Sequence, residues 1–423
     1  MKIHIDIDCF FVSAARILDP SLEHKPVAIG GRSDTKIFNN GAKNQTVNFQ
    51  NSGNFVPTFY KAYESKDDDI KNFIDADGRI RGILTTSSYE ARAYGIKTAM
   101  SIREALTLCP ELIIKAPNMS LYQELSHKLH NFLNLRVPLI EQASIDEFYG
   151  DLSGWVEDED VPAFIDELRH SIKKELLLPV SIGAAPTRYI AKLATNYAKP
   201  FGSQVIDIYN FDALVNPVKV EDFAGIGRSM KRKLHDAKIY TLGEMRLRKG
   251  TVCSWSPYAK ELYKRINGES DAPINTQAKR KSIGISRTFD PVFDREELLR
   301  RVHILARHLS FAIFKLNVIP TVFHLSIAYE MKQKSHINIS QAEVFTEKKF
   351  DILCKEMFHK ADTQRRLRVI RLSISCSSFT KDSKKELSLI GFHEDQEMLT
   401  LSNATQQLRQ KYGLDILKWG GEL

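Results

Sequence analysis

Two acidic stretches hold the residues most able to do chemistry. In Ile140-Glu-Gln-Ala-Ser-Ile-Asp-Glu-Phe-Tyr-Gly-Asp-Leu152, Asp146 and Glu147 stand side by side. The flanking apolar runs read as hairpin strands, so at least one carboxylate should project from a turn or strand end. At the N-terminus, Lys2-Ile-His-Ile-Asp-Ile-Asp-Cys-Phe-Phe11 reads as an apolar strand interrupted by Asp6 and Asp8. Charges rarely sit in such a strand without a partner or a metal. Three or four carboxylates gathered by folding would raise one another's pKa unless divalent cations neutralised them. A hard, all-oxygen donor set suits magnesium or manganese, and two such ions serve phosphoryl transfer. An isolated Asp-Glu pair would read as a solvated turn; the second acidic strand is what favours a metal site.

The elements that must position these groups follow from periodicity. A strand runs from Ile3 to Ile7, a helix starts at about Phe11, and Pro26-Val-Ala-Ile-Gly-Gly31 is a second strand. Phe10 and Phe11 follow the carboxylates directly, so one ring can enter the core while the other faces whatever the metals bind. Leu84-Thr-Thr-Ser-Ser-Tyr-Glu-Ala-Arg92 is a strand leading into a short helix, with Ser88 as its N-cap. That helix presents Tyr89 and Arg92 three apart on one face, suited to a triphosphate. Helices are expected from Ser101, from Asn118 to about Leu135, from Val161 to Leu177 and from Thr187 to Tyr197, with strands at Leu112 to Lys115 and Val180 to Ala185. His127 and His130 lack a third ligand and read as surface residues. Lys199 lies in Ala198-Lys-Pro-Phe-Gly202, where Pro200 and Gly202 stop a helix. The alternation through residue 208 predicts an α/β domain with a small, mostly antiparallel sheet.

A chain of 423 residues is too long for one core and predicts two to four domains. Its net charge of +8 and pI near 9.0 favour a polyanionic partner. Cysteines at 9, 109, 253, 354 and 376 form no Cys-x-x-Cys pair, which argues against a zinc module or a disulfide frame and for a reducing cytoplasm. Asp6 and Asp8 spoil the N-terminal stretch as a signal segment, and no other stretch approaches a membrane span. From Gly31 to Ile83 the chain is rich in Asn, Gln, Ser and Gly and reads as a partly ordered insertion or a loop.

Gly225-Ile-Gly227 forms a tight turn opening a helix, where backbone amides and Arg228, Lys231, Arg232 and Lys233 can hold a DNA phosphate. With Ile239-Tyr-Thr-Leu-Gly-Glu244 it reads as a helix-hairpin-helix that grips backbone without reading sequence. A new α+β domain is expected from about Ile274, beyond Gly268 to Pro273 and with the basic link Lys279-Arg-Lys-Ser-Ile-Gly284. It holds a helix around Leu298 to Phe314 and strands at Val322 to Tyr329 and Val369 to Cys376. Arg365, Arg366, Arg368 and Arg371 suit either a solvated edge strand or a phosphate-contacting face. The tail, with Glu386-Leu-Ser-Leu-Ile390 and a helix from Leu401 to Tyr412, has little apolar material for a core.

Taken together, His4-Ile-Asp-Ile-Asp-Cys-Phe-Phe11, Ser88-Tyr-Glu-Ala-Arg-Ala-Tyr-Gly-Ile96, Ser144-Ile-Asp-Glu147, Ala198-Lys-Pro-Phe-Gly202, the glycine hairpin and Arg280-Lys-Ser-Ile-Gly284 resemble a Y-family translesion DNA polymerase of the DNA polymerase IV type. The resemblance implies a multidomain α/β and α+β right-hand polymerase: a small ferredoxin-like palm (1–30 and 98–208), fingers with a long insertion (31–97), a helical thumb (209–272), a little finger (273–380) and a tail (381–423). It implies a lesion-bypass enzyme that adds deoxynucleotides to a primer 3'-end. A non-catalytic DNA-binding scaffold is the alternative, and a nucleotide cyclase would have no use for the helix-hairpin-helix and the basic C-terminal domain.

By the same resemblance Asp6, Asp146, Glu147 and the Ile7 carbonyl would ligate two magnesium ions. Phe10, Thr86, Tyr89, Arg92 and Lys199 would line the nucleotide, with Phe11 under its sugar as the steric gate. Gly225, Gly227, Arg228, Lys231, Lys281 and Arg368 would contact DNA. Leu387, Leu389 and Ile390 form a weakened sliding-clamp peptide, and the protein is expected to act as a cytoplasmic monomer. Three departures stand out: the long 31–83 segment, Arg371 where the family's strand has glycine, and Glu386 where the clamp peptide has glutamine.

Overall fold

In a computed structural model, the described residues are 1–33, 35–38, 45–47, 59–61, 69–74, 78–276, 280–341, 344–380 and 392–422. They fall into two compact units, one built mainly on Met1–Gly30 and Asp67–Ala278, the other on Lys279–Leu423 with part of the 31–66 segment.

The first unit opens with β1 (Lys2–Ile7), α1 (Phe10–Leu18) and β2 (Val27–Gly31). β3 (Gln45–Val47) and β4 (Phe59–Lys61), which belong to the second unit, form a separate antiparallel pair. β5 (Ile83–Ser87), α2 (Tyr89–Ala93), α3 (Ile102–Leu108), β6 (Ile113–Lys115) and α4 (Met119–Asn134) follow, then β7 (Leu139–Gln142), β8 (Glu147–Asp151), α5 (Val161–Leu176), β9 (Val180–Ala185), α6 (Arg188–Ala198) and β10 (Ser203–Val205). The main sheet has the order β10-β9-β1-β8-β7, with β1 in the middle and antiparallel to both neighbours. Ile3, Ile5 and Ile7 are buried on one face of β1, each contributing about 1.5–3 kcal/mol. His4 and Asp6 are buried on the other. β1 alternates polar and apolar residues although both of its faces are covered, so its polar residues had to find partners.

A smaller sheet, β5-β2-β6, carries α2. As expected, Ser88 caps that helix, its hydroxyl accepting from Ala91 N at 3.2 Å. Five short helices complete the unit: α7 (Phe211–Val215), α8 (Arg228–Asp236), α9 (Leu242–Leu247), α10 (Lys249–Cys253) and α11 (Pro257–Ile266). They surround Leu234, Ile239, Leu242, Met245, Leu262 and Ile266. A reciprocal Thr241–Glu244 capping box starts α9.

The second unit is a four-stranded antiparallel sheet in the order β11 (Ser282–Val292), β14 (Val369–Thr380), β12 (Ile319–Tyr329), β13 (Lys334–Ser340). Its buried side chains, among them Ile283, Ile285, Leu325, Ile327, Leu372 and Ile374, alternate with Ser, Gly and His. α12 (Arg295–Leu316) and α13 (Glu347–Ala361) cover that apolar face, the α+β arrangement expected of this region.

Two expectations need correction. Ile37 and Phe38, read as the start of a finger insertion, are buried in the core of the second unit, where Phe38 meets Phe289 edge-on at 5.8 Å and Arg301 stacks over its ring at 4.8 Å. Likewise α14 (Phe392–Tyr412) starts well before the expected Leu401. It docks through polar groups: Glu347 accepts from Gln406, Arg409 and Trp419, and Arg307 pairs with Glu422 and Asp415. A count of apolar residues could not find an interface held by charge.

Candidate active site

Strand register assembles the acidic residues. Asp6 on β1 lies opposite Glu147 on β8, and Ile7 N donates to Asp146 O at 3.0 Å. Asp6, Asp146 and Glu147 therefore lie near one end of the central strand pair. The turn is held by Ser144, whose hydroxyl donates to Asp146 Oδ1 and accepts from Glu147 N at 3.0 Å.

Two lysines of the chain answer this charge. Lys199 Nζ is 2.6 Å from Asp6 Oδ1 and Lys192 Nζ is 2.6 Å from Glu147 Oε1. Burial still pushes the Asp6 carboxyl up to about 7 against the pull of Lys199, and burial raises Asp146 as well. Burial pushes Glu147 up too, but the neighbouring His4 and Lys192 outweigh it and carry it down to about 2. Burial holds the His4 imidazole down to about 4, so that ring is neutral at pH 7 and Lys192 is the cation that keeps Glu147 ionised.

Among the described residues no three carboxylate, imidazole or thiol side chains already converge as a metal cage. The donor set nevertheless fits hard cations, because it is all oxygen and two of its carboxylates are held above their ordinary range by burial that a divalent charge would offset.

Asp8, the fourth candidate, is committed elsewhere. Its oxygens accept from Ser181 Oγ at 2.8 Å, Tyr89 OH at 3.0 Å and Phe201 N at 2.8 Å. These bonds anchor the end of β1 to α2 and to the corner after α6.

Of the two phenylalanines, Phe10 is buried and Phe11 half-buried. Phe11 stacks on Tyr122 with centroids 4.2 Å apart. Thr86 is half-buried near the end of β5. Tyr89 gives its hydroxyl to Asp8, and Arg92 lies 4.9 Å over the Tyr89 ring with its Nε donating to Ser87 O. Beside them opens a cleft of about 500 Å³ lined by Asp8, Cys9, Tyr89, Lys173 and Phe201.

The expected DNA contacts lie apart from this cluster in the sequence. Gly225 has φ +105°, a conformation that favours glycine, and Gly227 precedes α8. Arg228 is exposed, whereas Lys231 pairs with Glu221 at 3.0 Å. In the second unit Lys281 is exposed and Arg368 pairs with Glu330 at 2.9 Å. Leu387, Leu389 and Ile390 lie outside the described residues. Sequence reasoning assigned Lys192, His4 and Ser181 no role; an imidazole two positions from Asp6 on the same strand was the available signal.

Residues 5–196 match the model of the impB/mucB/samB family, and residues 280–389 match the model of that family's C-terminal domain. The chain belongs to the Y-family of DNA polymerases. DNA polymerase IV of Bacillus anthracis is 26% identical over 429 residues, spanning 100% of this chain and 93% of the relative. DNA polymerase IV 1 of Bacillus subtilis (strain 168) is 27% identical, spanning 99% and 92%. Among solved structures, the Y-family DNA polymerase chimera Dbh-Dpo4(243-245)-Dbh superposes with a TM-score of 0.72 at 20% identity, covering 90% of this chain and 99% of that one. DinB from Sulfolobus solfataricus gives 0.53 at 21% identity, covering 89% and 98%.

This Y-family member has the right-hand polymerase fold, with an α/β palm, a helical thumb and an α+β little finger. It is a DNA-directed DNA polymerase of the lesion-bypass type, and the scaffold alternative is not favoured. Its partners are DNA and deoxynucleoside triphosphates, and its family depends on divalent metal ions. Among the described residues no helix is long and apolar enough to cross a membrane.

Proposed function

We propose that the polymerase adds deoxynucleotides at the carboxylate cluster where Asp6 faces Glu147 across the β1–β8 ladder with Asp146 at its end. That register is the observation that carries the reading. Two magnesium ions, held there by Asp6, Asp146, Glu147 and the Ile7 carbonyl, would activate the primer 3'-hydroxyl and stabilise the leaving pyrophosphate. Lys192 keeps Glu147 ionised as a ligand. Lys199 is free to turn from Asp6 to the triphosphate once another cation neutralises the carboxylate. Arg92, Tyr89 and Thr86 hold the same phosphates, Phe10 backs the pocket, and Phe11 lies under the sugar.

Gly225, Gly227, Arg228 and Lys231 grip backbone phosphates, while Lys281 and Arg368 extend the grip on the little finger. The domain borders are taken as in the sequence reading, with Ile37 and Phe38 assigned to the little finger. The protein acts as a cytoplasmic monomer and takes the replication sliding clamp through Leu387, Leu389 and Ile390. A Glu386→Gln, Ile390→Phe variant would tighten that contact by adding an amide and a ring, which clamp binding to an immobilised sample reads directly.

Primer extension with purified Asp146→Ala tests the central claim. Extension should vanish while affinity for primer-template, read by fluorescence anisotropy, stays nearly intact. Retained extension at more than a few per cent of the parent would overturn the assignment.

A further inference from the structure

The polar face of β1 carries a residue with no part in the reaction as described so far. His4 stands two positions before Asp6, opposite Tyr149 on β8 and Gly183 on β9. Gly183 leaves no space above the sheet: a Cβ there would lie 2.2 Å from Thr195 N and 2.3 Å from Ala191 O. This close approach seats α6 on the sheet. It brings Thr195 Oγ1 to 2.9 Å from His4 Nδ1 and, on the preceding turn, Lys192 Nζ to 2.6 Å from Glu147 Oε1. The Tyr149 ring closes the other side, with centroids 4.6 Å apart.

The second ring nitrogen, Nε2, is buried, has no hydrogen-bond partner, and points toward Glu147 Oε2 at 3.8 Å. Its protonation follows from Thr195, which has a single hydroxyl proton and three acceptors around it: His4 O at 3.1 Å, Ala191 O at 3.0 Å and His4 Nδ1. If that proton goes to a carbonyl, Nδ1 must carry the ring proton and the Nε2 lone pair faces a carboxylate. If it goes to Nδ1, the ring proton sits on Nε2 and is aimed at Glu147. Only the second arrangement gives every buried group a complementary neighbour.

We propose that His4 is a positioning residue for Glu147. Thr195 fixes the Nε2–H tautomer, and Nε2–H donates to Glu147 Oε2 while Lys192 holds Oε1. Closing 3.8 Å to a hydrogen bond takes a carboxylate shift of about 1 Å. A carboxylate held on both oxygens has one orientation left, so its remaining lone pairs face Asp6 and Asp146. The inference rests on the reading of Glu147 as a metal ligand.

Three full-length variants and one spectrum test it. Mn²⁺ affinity, measured by electron paramagnetic resonance without nucleotide, should fall roughly tenfold in His4→Leu, as for other residues that orient a metal ligand. It should largely recover in His4→Gln, whose amide nitrogen reaches the position of Nε2. Nitrogen-15 spectra of histidine-labelled parent protein should show His4 protonated at Nε2 alone. If Glu147→Gln leaves Mn²⁺ affinity unchanged, the metal-ligand reading falls and this inference with it. If Glu147→Gln weakens the ion but His4→Leu does not, only the role of His4 is overturned. Should His4→Leu fail to fold, the spectrum decides, since a ring protonated at Nδ1 contradicts the proposal.

Discussion

Lys199 Nζ lies 2.6 Å from Asp6 Oδ1, so the residue read as a phosphate ligand is, in the free protein, the partner of the Asp6 carboxylate. The same lysine can serve both groups in turn because its head sits on a long stem at the exit of α6.

Replacing that lysine should therefore act mainly on nucleotide binding. Lys199→Ala removes a charge-assisted contact of about 1.5–3 kcal/mol, so KM for deoxynucleotides should rise roughly ten- to hundredfold. Steady-state single-nucleotide insertion measures it, and an unchanged KM would remove Lys199 from the triphosphate site.

Phe11 is half-buried and held against Tyr122 with ring planes 13° apart. Truncation to Phe11→Ala opens space beneath the sugar at modest cost to stability. The preference for deoxynucleotides over ribonucleotides should drop about tenfold or more, the scale on which a shaped pocket rejects an added group. Competitive insertion assays read this ratio, and undiminished discrimination would show that Phe11 only fills space.

Asp8 should matter for folding rather than chemistry. Asp8→Ala strands the donors of Ser181, Tyr89 and Phe201 in a buried site, which should cost about 3 kcal/mol or more. Calorimetry should show a lower Tm while the folded fraction still extends primers. A variant that melts normally but cannot extend would return Asp8 to the set of metal ligands.

The docked C-terminus makes a similar claim on the second unit. Arg409→Leu leaves the buried Glu347 carboxylate without its cation, and breaking one side of such a pair costs about 3–5 kcal/mol. Chemical denaturation should show this loss, and removal of residues 392–423 should reproduce it. Unchanged unfolding in both would mean that α14 contributes nothing to the stability of the little finger.

What the chain determines by itself is local. Apolar periodicity marks β1, α4, α5, β9 and α6 close to their observed bounds, Ser88 announces its cap, and carboxylates inside an apolar strand announce a site that needs cations. The sequence was less informative where the period is weak. β13, Lys334-Ser-His-Ile-Asn-Ile-Ser340, has only two apolar side chains because it is an edge strand, and Ile37 and Phe38 gave no sign of the core they enter.

Tertiary structure alone decided which charges meet. Asp6 and Asp8 are both aspartates two apart in one motif, yet one faces Glu147 and Lys199 while the other, just beyond the end of the strand, is bound by Ser181, Tyr89 and Phe201. That difference depends on strand register and on how closely α6 presses on Gly183. Both are set by packing between segments up to 193 residues apart, and a local pattern of residue types carries no information about distances of that kind.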